Sequence, residues 1–125
     1  MRDSRSTCRY LCSEPVFIAR ADRGGRQTML GNLEEIGEWC AEVLTECAFP
    51  LNAAVRIVSK AHRLEGVVEA CTRHQPLGFF VKVKLSPQSR WSERWFTPQH
   101  LLQLWSGTRA SNQPKVSTLR TASGY

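Results

Sequence analysis

Phe79-Phe80-Val81-Lys82-Val83-Lys84-Leu85 is the stretch whose reading decides the fold. Phe79, Val81, Val83 and Leu85 fall on one face and Phe80, Lys82 and Lys84 on the other. That alternation is the mark of a half-buried β-strand with one wet side. Upstream, Val55-Arg56-Ile57 and the set Leu64, Gly66, Val68 and Ala70 alternate in the same way. Val16 to Arg20, Gln27 to Ile36 and Trp39 to Leu44 supply three more apolar segments of strand length, with Pro15 opening the first of them. Turn signals separate them. Asp22-Arg23-Gly24-Gly25 offers glycines that accept positive φ, Gly37-Glu38 and Phe49-Pro50-Leu51-Asn52 interrupt the pattern, and Pro76 lies in the turn region from Arg73 to Gly78. Six short strands with turns between them predict an all-β chain, a barrel or a sandwich, and at this size a six-stranded antiparallel β-barrel is favoured because closure removes exposed edges.

Working outward, Thr97-Pro98-Gln99-His100-Leu101-Leu102-Gln103-Leu104-Trp105 opens with a capping residue and a proline at the first helical position. Leu101, Leu104 and Trp105 share one helical face, which predicts a short C-terminal helix packed on the barrel. Trp91, Trp95 and Phe96 are expected to cover the barrel mouth. Residues 106–125 are rich in Ser, Thr, Gly and Arg and read as a disordered tail. Residues 1–14 read as a basic arm, and residues 15–105 as the barrel with its helix.

The chain has 125 residues, 42% hydrophobic and 22% charged, which suits one globular domain. No apolar run follows Arg2, Arg5 and Arg9 that could serve as a secretory leader, and no window reaches a membrane span. The expected location is therefore cytoplasmic. Five cysteines, Cys8, Cys12, Cys40, Cys47 and Cys71, show no C-x-x-C pair and read as reduced thiols, with Cys40 and Cys71 small buried hydrophobes in strands. His62, His74 and His100 are scattered, so no metal or other cofactor is expected. No nucleophile has a recognisable base and no glycine-rich phosphate loop is present, so the chain is not read as an enzyme. The net charge of +6 favours an anionic partner, although Glu34, Glu35, Glu38, Glu42 and Glu46 form an acidic block free of Lys and Arg.

Arg5-x-x-x-Arg9 precedes the first strand, and two neighbouring guanidiniums can fork onto phosphate oxygens or stack on a purine. Downstream come Leu33-Glu34-Glu35-Ile36-Gly37-Glu38-Trp39-Cys40-Ala41-Glu42-Val43 and Phe49 to Ile57. Leu64-Glu65-Gly66-Val67-Val68, Cys71, Phe79 to Val83 and Phe96 to Leu102 follow. This layout resembles the PilZ domain over nearly all of residues 2–105. The resemblance implies a six-stranded barrel in bacterial signal transduction that binds the nucleotide cyclic di-GMP through two motifs. Arg5 and Arg9 match the first, R-x-x-x-R on the N-terminal arm. The second, [D/N]-x-S-x-x-G at the turn between the second and third strands, falls on Glu35-Ile36-Gly37-Glu38-Trp39-Cys40. Here Glu35 stands for Asp or Asn, Gly37 for Ser and Cys40 for Gly, and Lys82 stands where many relatives carry Gly.

Each departure has a physical weight. Glu35 displaces the carboxylate by a methylene, and Gly37 deletes a hydroxyl worth about 1 kcal/mol. Cys40 adds a Cβ where close approach is needed, roughly 1–2 kcal/mol if the backbone must be left-handed. Trp39 and Glu38 add bulk and negative charge beside a dianion. A combined loss of about 3 kcal/mol weakens binding more than a hundredfold. The expectation is a PilZ-like regulatory module whose cyclic di-GMP site, Arg5, Arg9, Glu35, Gly37 and Cys40, binds weakly or not at all. Two alternatives remain: a protein-interaction module without nucleotide, with Trp39 as an aromatic anchor, and a basic barrel binding single-stranded nucleic acid through Phe80, Lys82 and Lys84. No membrane partner is expected.

Overall fold

A computed structural model describes residues 10–21 and 28–103. Six main strands form: β1 (Tyr10–Arg20), β2 (Thr28–Ile36), β3 (Cys40–Thr45), β4 (Ala54–Ser59), β5 (His62–His74) and β6 (Gly78–Leu85). A two-residue strand, β7 (Leu102–Gln103), follows. Every pairing is antiparallel, in the order β2-β3-β6-β5-β4-β1, and β1 also pairs with β2, which closes the barrel. The six predicted strands are all present. Their alternation explains the closure, because the inward set fills one core. Ile18, Leu33, Ile36, Val43, Val55, Ile57, Leu64, Val68, Val81 and Val83 are all buried there. Each such side chain contributes about 1.5–3 kcal/mol by leaving water. Trp91 is 2% exposed and plugs one mouth, packed edge-on against Tyr10 and Phe96 at centroid distances of 5.2 and 6.5 Å.

Three expectations are corrected. Strand β1 starts at Tyr10, so residues 10–14 belong to the barrel wall and not to an arm. Pro15 is accordingly interior to the strand. It is tolerated because β1 pairs with β4 only from Phe17 onward and with β7 only at Tyr10 and Leu11, so this stretch has a strand neighbour on one side alone.

The C-terminal helix does not form over residues 97–103. Both main-chain groups of Gln99 are bonded to β1: its carbonyl accepts from Ser13 N–H at 3.0 Å and its N–H donates to Glu14 Oε1 at 2.8 Å. His100 then takes φ 58°, a left-handed conformation that no right-handed helix contains. Leu102 and Gln103 go on to pair with Leu11 and Tyr10. Tertiary partners thus outweigh a good capping sequence, as they can for a segment of two turns. Leu104 and Trp105, the expected tail from 106, and the Asp22–Gly25 turn lie outside the described residues.

The third correction concerns thiols. Cys40 is disulfide-bonded, while Cys12, Cys47 and Cys71 are free. Spacing rules search for near pairs, and nothing around Cys40 in the sequence signals a bridge. Cys71 is only partly buried.

Candidate functional site

The turn between β2 and β3, residues 37–39, is where the second ligand motif was expected. Ile36 ends β2 facing the core and Cys40 opens β3, so Gly37, Glu38 and Trp39 must reverse the chain between them. Gly37 N–H closes the reversal by donating to the Cys40 carbonyl at 2.8 Å. The structure therefore brings Gly37 and Cys40 together. Glu35 is one step away along the ladder, opposite Leu11 on one side and Glu42 on the other. Arg5 and Arg9 lie outside the described residues. The start of β1 does reach this turn, since Tyr10 pairs with Ile36.

The turn is occupied by the protein's own groups. The Trp39 carbonyl accepts from Leu85 N–H at 2.8 Å, and the Glu38 carbonyl accepts from Trp91 N–H at 3.1 Å. The Glu38 carboxylate is ion-paired with the Arg90 guanidinium. The same guanidinium lies over the Trp39 ring, 5.2 Å from its centroid, a cation–π contact. Trp39 is nevertheless 47% exposed. Arg90 and Trp91 are the residues that the sequence reading missed as partners of this turn. Arg90 lies 52 positions along the chain from Glu38, beyond the reach of a local motif.

Beside the turn, Glu35, Glu42 and Lys82 run in register across β2, β3 and β6. Partial burial pushes the Glu35 carboxyl above its ordinary range, and the facing Glu42 pushes further while Lys82 pulls back. Burial raises Glu42 too, again with Lys82 opposing. On the wet face of β6, Phe80 meets His74 edge-on at 5.2 Å, so an aromatic is present. Its neighbour Lys82 sits opposite a carboxylate, which puts negative charge inside the face that a phosphate backbone would follow.

At the far end of β1 and β2, Arg20, Met29, Cys47, Ala48, Phe49 and Pro50 line a cavity of about 220 Å³. Among the described residues no group of three or more His, Cys, Asp or Glu could hold a metal ion, and no helix is long and apolar enough to cross a membrane. No protein family, curated protein or solved structure matches the chain.

Proposed function

We propose that this chain is a PilZ-like regulatory module of the bacterial cytoplasm, with a cyclic di-GMP site that is weak or lost and an output through protein contacts. The observation that carries the reading is the register Tyr10 to Ile36, by which the strand following Arg5 and Arg9 begins beside the Gly37–Trp39 turn. A segment bearing two guanidiniums and this turn are the two halves such a receptor needs. Weakness is supported by Arg90, whose guanidinium is already engaged by the Glu38 carboxylate and the Trp39 ring. A ligand would have to displace these contacts, which adds to the loss expected from Glu35, Gly37 and Cys40. The oxidised state of Cys40 removes one support for a reducing compartment, since disulfides persist mainly where the surroundings are oxidising.

Titration calorimetry of the full chain with cyclic di-GMP tests the reading. Weak binding that Arg5→Ala and Arg9→Ala abolish is the expected result. Tight binding would show that the turn is competent after all, and binding indifferent to both arginines would overturn the assignment. The protein-interaction alternative is favoured by Trp39, an aromatic kept half in water although a cation covers one face. Trp39→Ala would then weaken a partner complex while leaving the barrel folded.

A further inference from the structure

Trp91 touches three elements at once. Its backbone N–H donates to the Glu38 carbonyl in the β2–β3 turn at 3.1 Å. Its indole Nε1–H donates to the Phe96 carbonyl at 2.9 Å, and its ring meets the Tyr10 ring edge-on at 5.2 Å. Tyr10 in turn starts β1 and pairs with Gln103 of β7. The turn therefore meets the main chain of Trp91, and the root of the arm and the segment 96–103 meet its side chain, in one residue that is 2% exposed.

The segment 96–103 is a strap across the barrel mouth, with Pro98 buried and Phe96 and Leu101 packed against the core. Phe96 stacks on His62 at 4.4 Å, Gln99 holds Ser13 and Glu14, and two residue pairs join β7 to β1. A segment tied to its neighbour by so few main-chain bonds can open locally while the barrel stays folded. The main chain of Trp91 holds the Glu38 carbonyl and its close-packed indole holds the Phe96 carbonyl, so a shift of this one residue would be felt at both.

We propose that Trp91 is a positioning residue that transmits the state of the Glu38–Trp39 turn to the C-terminal strap, so that loosening the turn releases residues 97–103 from β1. The proposal deepens the function above and rests on that reading for what acts on the turn; the linkage itself does not require the nucleotide. It gives the module an output: release bares the edge of β1 at Tyr10 and Leu11, a row of main-chain groups suited to pairing with another extended segment.

Amide hydrogen exchange on the full chain, without nucleotide, tests the linkage. Replacing Glu38 and Trp39 by alanine removes the Arg90 clamp. The Gln99 and Ser13 amides should then exchange at least fivefold faster, with the Val68 amide, bonded to the Ala53 carbonyl inside the barrel, as the unchanged control. In a Trp91→Phe background, which lacks the indole donor, the same two substitutions should add less than twofold. Unchanged strap amides, or equal acceleration in both backgrounds, overturn the proposal. If Trp91→Phe does not fold, the reverse perturbation decides, because coupling is reciprocal. Glu14→Ala frees the strap's anchor at Gln99, and the Gly37 amide should exchange at least twofold faster; an unchanged Gly37 overturns the linkage. Failure of the calorimetric titration would remove the nucleotide reading and leave these outcomes intact.

Discussion

Cys12 and Cys47 are both free thiols, yet their surroundings give them opposite chemistry. Burial pushes the Cys12 thiol up to about 12, with Glu34, Glu14 and Glu35 adding repulsion, and its Sγ–H donates to the Leu33 carbonyl at 3.6 Å. Cys47 is exposed beside the cavity. Iodoacetamide at pH 8 should therefore alkylate Cys47 in the native protein and spare Cys12 until denaturant is added; comparable labelling of the two, read by peptide mass, would contradict the burial of Cys12. Glu35 and Glu42 give a second residue-level expectation. Their folded carboxyls bind protons more tightly than in the unfolded chain, so their contribution is fully present below the unfolded value of 4.5 and is lost as pH rises through the raised folded values. Removing one charge of this facing pair should stabilise the barrel at pH 7. Glu35→Gln is expected to add up to about 1 kcal/mol there and nothing near pH 3, measured by urea unfolding at both pH values. A loss of stability at pH 7 would mean that Glu35 holds a favourable contact instead.

At the scale of elements, β4 and β6 were the most legible because their inward residues alternate, whereas register shifts between Leu11 and Glu14 and between Leu33 and Glu35 break the period in β1 and β2. Val81, Val83 and Leu85 are buried as the period of β6 requires, and the same rule found β4 and β5. What stayed illegible depends on distant partners. The Gln99 bonds to β1 replace a helix, the contacts of Arg90 and Trp91 fill a turn that reads as open, and the bridge at Cys40 has no local signature. Of the candidate site, the proximity of Gly37 and Cys40 followed from hairpin geometry, whereas Arg90 and Trp91 followed from nothing nearby. Strand β5 carries one further requirement. A Cβ at Gly66 would fall on the Lys84 carbonyl oxygen of the neighbouring strand, and that atom is main chain and cannot swing aside. Gly66→Ala should cost about 1–3 kcal/mol in chemical denaturation, the range for overpacking, and a neutral effect would show that β5 and β6 can separate locally. The β2–β3 turn is the element whose remodelling tests its ancestry. Changing Glu35 to Asp, Gly37 to Ser and Cys40 to Gly in one chain should raise cyclic di-GMP affinity at least tenfold, about 1.4 kcal/mol, with Cys40→Ser alone as the control for losing the disulfide. A folded variant with no gain would mean that the alignment of this turn to the nucleotide motif is wrong.

Across the whole molecule, one wall of strands encloses one core; its described residues balance Lys and Arg against Glu, so the excess of six positive charges lies outside them, and the barrel surface holds acid–base clusters such as Arg56, Arg63 and Glu65. Exposed pairs of this kind contribute little to stability, because water screens them, so raising salt should leave the unfolding midpoint nearly unchanged while weakening any anionic partner. The pairing of Tyr10 with Gln103 has a different bearing. Antiparallel partners sit about 4.5–5.5 Å apart at Cα, so the chain enters and leaves the described body through what is almost a single point. A domain with that geometry behaves as a cassette. Inserted into a surface loop of an unrelated host, a barrel joined where β1 starts and β7 ends would ask the host to part its backbone by about one ladder spacing, and any strap motion would be felt at the graft as a tug on one stem.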